Sequence, residues 1–443
     1  MTIDYRYRTI LGVALPLMVS SFIQAIILIT DSYLISRHST IEFDAVGNGG
    51  LIYVTMFMAL AGMGDGAQIL IARRIGQNRF DSIGRIFGTS ILTHLVIASI
   101  LFIIMQFIMP GMLDWYSKHK DLSVLQGKFI RIRSFALFFA MITLSIQALF
   151  IAKGRTWIVL ASAIISAVSN YLFGKGLIFG NSIFPEMGLE GAALASTIAD
   201  GISMLFLIVM LLVSKEKADY KLLSHFSIDK DSFKELLNIG SPLMFQGFIA
   251  LATWTIFFTW IEQMGKFELT VSQNIRSIYF LVFVPIWGFG GTTKTYISQY
   301  LGRGDLHALK TIQRRIQLLT VVFLFIFFHG AILYPEKLIA FINPETTYFE
   351  KSSEILRYIA GSIFMYGFVS VYFQTINGSG NTRASFLIEV INVLVYTLFS
   401  YLFIKIFKFD IFWVWTVEYI YFGTMGILSI VYLRTFDWQN KKV

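Results

Sequence analysis

Acidic side chains stand inside several long apolar stretches of this 443-residue chain. Asp31, Asp200 and Glu389 each interrupt such a stretch, and Glu418 interrupts another. A charged group in hydrocarbon costs about 3 kcal/mol or more, so an acid at such a position is by default a functional candidate. A buried carboxyl can hold a proton or coordinate a small cation such as Na⁺. We interpret Asp31 and Asp200 as candidate cation-coupling residues and Glu389 as a candidate cavity residue, whereas packing explains Glu418 more simply.

Amide and indole side chains in the same stretches are candidates for lining a substrate cavity. A tryptophan face attracts organic cations through its π electrons. Glutamine amides can bind a polar ligand, or they can join neighbouring helices by hydrogen bonds, and the sequence leaves both roles open. The candidates are Gln24, Gln147, Gln246, Trp254, Trp287 and Gln374.

The elements that carry these residues are long apolar segments. Apolar residues make up 56% of the chain and charged residues only 14%, against about 25% charged residues in a typical soluble domain. About 20 apolar residues suffice to cross a bilayer as a helix, and continuous apolarity without alternation favours helices over barrel strands. The predicted spans lie near residues 10–36, 49–72, 86–109, 134–152, 157–180, 190–213, 237–261, 277–298, 316–334, 356–377, 384–407 and 411–433.

Twelve spans place both termini on the same side of the membrane. Lys and Arg residues are more numerous in the loops on that side, which predicts cytoplasmic termini by the positive-inside rule. The basic stretch 118–133 counts against this, since it is predicted to form a loop on the outer side. We expect a multi-pass protein of the bacterial cytoplasmic (inner) membrane, in which the net charge of +9 reflects topology and not nucleic-acid binding.

The chain contains an internal repeat at a constant offset, since residues 16–76 align with 242–302 without a gap. Shared glycines and prolines in such an alignment report shared backbone requirements, not only shared apolarity. Each copy holds six spans, so both copies insert in the same direction as a parallel repeat. The sequence therefore predicts an all-α polytopic fold of twelve transmembrane helices in two pseudo-symmetric six-helix lobes, 1–213 and 236–443, joined by a cytoplasmic linker, 214–235. The identical pairs include Pro16/Pro242, Met18/Met244, Asn48/Asn274, Tyr53/Tyr279, Gly62/Gly288 and Gly154/Gly380.

Four groups of sequence motifs resemble those of a known family. They are ALPLMVSSFIQAIILITDSYLIS, which contains Asp31; ILIARRIGQNR; SNYLFGKGLIFG with MGLEGAALAST; and the second-half motifs GSPLMFQGF, ISQYLGRGD and FQTINGSGNTR. In this order they make the chain similar to the multidrug and toxic compound extrusion (MATE) family of the MOP flippase superfamily. The resemblance implies antiport by alternating access of two lobes, in which a Na⁺ or H⁺ gradient drives export of organic cations, drugs or amphipathic metabolites.

The resemblance also implies a cation site in the first lobe. Asp31 matches the acidic residue of the family's first helix, and Asn170 matches the asparagine of its cation site. Ala192 and Ser196 fit the rest of that site, with serine in place of threonine, and Na⁺ at Asp31 and Asn170 is one expectation. Glycine or an apolar residue replaces the further carboxylates of the family, at Gly174, Ala250 and Val371.

Catalytic signatures are absent from the sequence. GMGDG and GFGG lack the lysine and hydroxyl residue that end a phosphate loop, and no nucleophile elbow or HExxH motif occurs. We therefore expect a monomeric transporter, not an enzyme. It would use no cofactor beyond the coupling ion, and it would bind a small-molecule substrate and membrane lipid but no nucleic acid. Two alternatives stay open: a lipid or lipid-linked oligosaccharide flippase of the same superfamily, and a non-transporting membrane receptor or assembly protein.

Overall fold

The structure of the protein is a computed structural model. It describes residues 3–116, 120–222, 224, 227–343 and 345–440. Some residues of the predicted outer loop and of the predicted linker lie outside this part of the chain, namely Lys118, His119, Leu223, His225 and Phe226. The regular elements of the described residues are helices, as expected where every backbone polar group must be satisfied within lipid.

The first half of the chain forms helices α1 to α9 within the described residues. A π-helical turn, Ile104–Ile108, continues α3 into α4. The bounds are α1 Tyr7–Ser36, α2 Thr40–Gly76, α3 Phe80–Ile103, α4 Met109–Tyr116, α5 Lys120–Ser134, α6 Ala136–Ala152, α7 Trp157–Phe179, α8 Gly188–Val213 and α9 Glu216–Asp219.

The second half forms helices α10 to α17. A 3₁₀ turn, Thr346–Tyr348, precedes α14, and a π-helical turn, Leu402–Ile406, follows α15. The bounds are α10 Lys230–Glu262, α11 Lys266–Arg303, α12 Leu306–Leu333, α13 Pro335–Ile342, α14 Phe349–Gly378, α15 Thr382–Tyr401, α16 Ile411–Val414 and α17 Val417–Thr435.

These helices confirm the predicted spans. Ten helical segments of the described residues are long and apolar enough to cross a membrane, and two bent pairs bring the number to twelve. In the fourth span α5 meets α6 at 42°, and in the eighth span the two parts of α11 meet at 45°. Pro285 lies just after the second bend, where its ring removes one helical hydrogen bond and crowds the carbonyl four residues earlier.

The fourth span is longer than predicted. Residues 120–133 of the predicted outer loop form α5, whose sequence KDLSVLQGKFIRIRS is too polar to be detected as apolar. Arg133, near its end, is only 8% exposed. The prediction of a loop for residues 120–133 was therefore wrong, because polar composition alone does not distinguish a loop from a helix that carries exposed charges and one buried arginine.

The helices divide into two compact units. The N-unit is Val19–Met244, and the C-unit is Met1–Met18 together with Phe245–Val443. Both divisions fall inside a helix, two residues after Pro16 in α1 and two residues after Pro242 in α10. These two positions are equivalent in the alignment of the two copies, as expected of a repeat. The compact units begin and end inside α1 and α10, whereas the predicted lobes follow chain order. The predicted lobe limits therefore stay a prediction.

Each unit contains the same close contact between a glycine and a proline-containing helix. In the N-unit, a Cβ on Gly62 would lie 2.5 Å from the backbone nitrogen of Met244. In the C-unit, a Cβ on Gly288 would lie 2.9 Å from the backbone nitrogen of Met18. Gly62 and Gly288 are repeat equivalents, and so are Met18 and Met244. Both copies therefore need glycine for the same approach of two helix backbones.

Substitution of Gly62 by alanine is expected to destabilise the protein by about 1–2 kcal/mol, the lower part of the range for overpacking, because the added methyl group meets helix backbone. The measurement is the thermal unfolding midpoint of the purified protein in detergent, followed by tryptophan fluorescence. Gly50→Ala is the matched control, because Gly50 lies on the same helix and a Cβ there would meet nothing within 4 Å. An equal fall in both variants would contradict the proposed contact.

The segment between α8 and α10 is anchored to the N-unit. Lys153 Nζ lies 2.5 Å and Arg155 Nη1 lies 2.9 Å from the carboxylate of Glu216, which is buried at the start of α9. Further along, the backbone nitrogen of Asp229 donates to Thr89 Oγ1 at 3.2 Å. Burial alone would raise the pKa of Glu216, but hydrogen bonds from Lys153 and Arg155 outweigh it and hold the pKa at about 2, against an ordinary value of 4.5. The anchor is therefore ionic at neutral pH.

Candidate cation site

Asp31, Asn170 and Ser196 form one hydrogen-bonded network in the N-unit. Ser196 Oγ donates to Asp31 Oδ2 at 3.0 Å, and it also lies 3.1 Å from the backbone oxygen of Ala192. Asn170 Nδ2 donates to Ser196 Oγ at 3.0 Å. The three side chains come from α1, α7 and α8, so the structure brings together residues that are up to 165 positions apart in the chain. Ala192 contributes its carbonyl oxygen to the same group.

A close approach of α7 and α8 positions this network. A Cβ on Gly191 would lie 2.3 Å from the backbone oxygen of Leu177, so glycine at this position lets the two helix backbones nearly touch. As a result Ser196, one turn and a half further along α8, comes within hydrogen-bonding distance of Asn170 on α7.

Asn170 offers an oxygen that has no partner among the described residues. Its side chain is 1% exposed, and Oδ1 forms no hydrogen bond although Nδ2 does. Buried amide oxygens are nearly always bonded, and hard cations prefer oxygen ligands. Asn170 Oδ1 and the Asp31 carboxylate are therefore oxygens of the kind that a small cation prefers. A proton on Asp31 is the alternative partner for the same amide oxygen.

Gly174 on α7 packs closely against the end of α1. A Cβ at this position would lie 3.2 Å from Leu34 Cδ1, so a larger side chain would press against the end of α1. Among the described residues, no cluster of three or more His, Cys, Asp or Glu side chains could hold a metal ion. Any cation bound here would thus depend on one carboxylate together with neutral oxygens.

An ion pair lies beside the network and contains the predicted site residue Asp200. Arg133 Nη1 lies 3.0 Å from Asp200 Oδ2, and the guanidinium covers the ring of Tyr53 at 4.0 Å from its centroid. Both charges are close enough to Asp31 to act on it. With Arg133 and both acids ionised, the group carries one net negative charge, which favours uptake of one cation.

A histidine lies beyond this site, in the turn that follows α1. His38 contacts Glu42 Oε2 at 2.7 Å and Glu186 Oε1 at 3.1 Å. Burial alone would lower the pKa of His38, but the hydrogen bonds to Glu186 and Glu42 outweigh it and raise the pKa above 6.5. The charged histidine therefore ties this turn to the segment before α8 at acidic pH, and the tie weakens as the pH rises through the raised pKa.

The predicted cavity residues are found in both units. Trp254 packs against Tyr279 with ring centroids 6.1 Å apart, Trp287 is 44% exposed, and Asn377 Nδ2 donates to Gln374 Oε1 at 3.1 Å. Glu389, a further predicted cavity residue of the C-unit, is buried. Gln24, Gln147 and Gln246 are exposed or half-buried. The substrate role of all seven residues stays a prediction.

The sequence analysis missed Arg133 and Tyr53 as site residues. Arg133 was assigned to a loop, and its pairing with Asp200 has no signature in the sequence. Tyr53 did have a signal, because it is identical to Tyr279 in the repeat. The tyrosine of each copy contacts an ionisable side chain of its own unit, Arg133 in one case and Glu418 in the other.

The fold and the buried charges together define a multi-pass α-helical membrane protein built from a duplicated six-span unit. A family model supports the duplication, because the MatE model matches twice, over residues 16–174 and 242–402. The two matches begin at Pro16 and Pro242, which are also the first aligned pair of the internal repeat, and together they cover most of the chain. The chain therefore belongs to the MatE family.

Curated relatives extend over nearly the whole chain. A probable multidrug resistance protein NorM from Thermotoga maritima is 22% identical over 98% of this chain and 94% of its own length. A protein of the same name from Agrobacterium fabrum is 23% identical over 84% of this chain and 79% of its own length.

Solved structures share the fold at low sequence identity. One, titled as the outward-facing conformation of a multidrug resistance MATE family transporter, superposes with a TM-score of 0.90 at 17% identity and covers 98% of this chain and 97% of its own. A MOP superfamily transporter from Pyrococcus furiosus gives a TM-score of 0.89 at 17% identity over 97% of this chain and 95% of its own. The two-lobed all-helical fold predicted from the sequence is confirmed.

Proposed function

We propose that the protein is a secondary active antiporter that exports organic cations, drugs or amphipathic metabolites in exchange for Na⁺ or H⁺. The observation that carries the proposal is the Asp31 network, in which a half-buried carboxylate of a membrane span is linked through Ser196 to Asn170, whose Oδ1 has no partner among the described residues. An ionisable group at membrane depth is costly and marks an ion or proton pathway. Relatives named as probable multidrug resistance proteins support the substrate class.

The charge balance of the site supports coupling to a cation. Arg133 neutralises one of the two acids, Asp31 and Asp200, and leaves one negative charge. Uptake of one Na⁺ or one proton would make the group neutral, so its occupied and empty states differ by one charge. A site with two charge states can bias two conformations of the protein, which is the requirement for alternating access.

The proposal includes an orientation and a set of partners. The protein would act as a monomer in the bacterial inner membrane with both termini in the cytoplasm, and it would contact membrane lipid and a small-molecule substrate. It would need no cofactor beyond the coupling ion. Arg133, one basic residue of the stretch on the opposite side, is buried and paired with Asp200, so it does not count as a loop charge against this orientation.

Transport in inverted membrane vesicles tests the proposal. A Na⁺ gradient or a pH gradient, with the higher cation concentration inside, should drive accumulation of a fluorescent organic cation. Vesicles without the protein provide the control, and an ionophore that collapses the gradient should abolish the accumulation. The two gradients are imposed separately, so that the coupling ion is identified in the same experiment.

The same vesicles distinguish the alternatives. Movement of a fluorescent lipid between leaflets, without gradient-driven accumulation of the organic cation, would favour a lipid flippase. If folded protein is present at the expected amount and a panel of cations gives neither response, the result would favour a receptor or assembly protein. That result would overturn antiport.

A further inference from the structure

The C-unit holds two buried acids that the N-unit site does not use. Glu418 on α17 is 3% exposed and Glu389 on α15 is 2% exposed. Tyr279 donates to Glu418 Oε2 at 2.6 Å, and Tyr396 donates to Oε1 of the same carboxyl at 3.1 Å. Tyr421 donates to Glu389 Oε1 at 2.6 Å. Hydroxyl groups from three tyrosines thus hold the two carboxyls, so the simple packing role expected for Glu418 does not describe it fully.

The titratable side chains that face these acids from the packed helices are tyrosines. They are Tyr279 on α11, Tyr366 on α14, Tyr396 on α15 and Tyr421 on α17. No basic side chain of the described residues contributes to the electrostatic environment of either acid. An ionised carboxyl here would be an uncompensated charge at membrane depth, with a cost of several kcal/mol. A proton is the smallest ligand that removes this charge.

The internal repeat relates this cluster to the cation site of the N-unit. The same offset between the copies holds at the start of α7 and α15, because the equivalent residues Gly154 and Gly380 precede these helices with φ of 77° and 81°. Side chains that surround the two sites are then equivalent, although their chemistry has changed. The equivalent pairs are Tyr53 and Tyr279, and Asn170 and Tyr396.

A second observation points to a missing polar ligand beside the acids. Asn392 is fully buried, and neither atom of its amide has a hydrogen-bond partner among the described residues. It lies three residues after Glu389 and four before Tyr396, which places all three on one face of α15. Since buried amides are nearly always bonded, this site has the polarity to hold a water molecule that could carry a proton.

We propose that Glu389, Asn392 and Glu418 form a second site in the C-unit, which binds protons. Each carboxylate takes up one proton to become a neutral carboxylic acid and releases it again, while a water molecule at Asn392 gives the proton a path. The inference rests on the proposed function for its role in transport, but proton binding itself can be measured without transport.

Infrared difference spectroscopy of the reconstituted full-length protein tests the site. Exposed acids are ionised at neutral pH, so the carbonyl band of protonated carboxyl groups at neutral pH reports buried acids. Glu389→Gln and Glu418→Gln should each remove part of this band, and the wild-type band should disappear as the pH rises. Glu262→Gln, which changes an exposed acid of the same unit, is the matched control and should leave the band unchanged.

Three results would overturn the proposal. One is a neutral-pH band that neither variant weakens. Another is a band that persists unchanged at every pH, since such protons would never be released. The third is a band that responds to Na⁺ at constant pH, which would assign the site to a metal cation. If Glu418→Gln does not fold, Tyr279→Phe and Tyr396→Phe keep the carboxyl and should shift its band by removing a hydrogen-bond donor.

The role of Asn392 has its own readout. Asn392→Leu removes an amide that has no protein partner, so a purely structural role predicts unchanged or higher stability and an unchanged rate of deuterium exchange at the Glu389 carboxyl. A proton path through this residue predicts slower exchange in the variant. Absence of gradient-driven transport by the wild-type protein would contradict the antiport proposal, whereas the infrared band would still decide whether the C-unit binds protons.

Discussion

Asp31→Asn is expected to reduce gradient-driven uptake of the organic cation to the level measured without a gradient. Asparagine has nearly the same shape as aspartate but carries no charge and does not titrate, so the site loses its uncompensated negative charge. Arg133 and Asp200 would then neutralise each other, and no electrostatic reason would remain to bind a cation. The measurement is the rate of fluorescent-cation accumulation in inverted vesicles under an imposed Na⁺ or pH gradient.

Matched variants separate coupling from stability. Asp44→Asn makes the same chemical change at an exposed residue of the N-unit and should leave transport unchanged. Ser196→Ala removes the hydroxyl that donates to Asp31 and should weaken coupling without abolishing it. Undiminished transport by folded Asp31→Asn protein would exclude Asp31 as the coupling residue. The carboxyls of the C-unit would then be the remaining candidates for coupling.

The spans could be predicted from sequence because the bilayer imposes a length and an apolarity on each helix. The fourth span shows the limit of that argument. Residues 120–134 are polar by composition, yet they form a helix whose last turn places Arg133 against Asp200 and Tyr53 inside the N-unit. Such compensation depends on three-dimensional neighbours, which a window over the sequence does not contain.

The candidate site could be predicted in part, and for two different reasons. Asp31 and Asp200 are acids in apolar spans, which is a physical signal in a single sequence. Asn170, Ala192 and Ser196 were assigned through resemblance to the MATE family, and the structure places them in one network with Asp31.

The cluster in the C-unit was harder to predict because each acid is bonded to tyrosines of other helices. Glu418 is separated from Tyr279 by 139 residues. The repeat offered a clue, since Tyr279 is the equivalent of Tyr53, but the partners of the two tyrosines differ. Duplication conserved the backbone contacts, such as those of Gly62 and Gly288, more closely than the charges that each unit holds.

Glu216→Gln is expected to destabilise the protein by about 2–3 kcal/mol at neutral pH, because a shift of one pKa unit corresponds to about 1.4 kcal/mol and the two basic partners are partly exposed. The pKa of Glu216 lies at about 2, against an ordinary value of 4.5. Glutamine keeps the shape of the side chain but cannot form the ion pairs with Lys153 and Arg155. The measurement is the thermal unfolding midpoint in detergent, with Asp219→Asn, an exposed acid of the same short helix, as the control.

The pH profile of stability distinguishes this ion pair from simple packing. The pKa of Glu216 is lower in the folded protein than in the unfolded chain, so its stabilisation is complete above about pH 4.5 and is lost as the pH falls towards 2. The difference between wild type and Glu216→Gln should therefore shrink through this range. A difference that stays constant from neutral to acidic pH would mean that glutamine disturbs packing, and that the charges of Lys153 and Arg155 do not anchor the segment after α8. Loss of the anchor should leave the hydrogen bonds of Asp31 intact, because that network lies on other residues of α7 and α8, so the variant should still couple uptake to the gradient below its unfolding temperature.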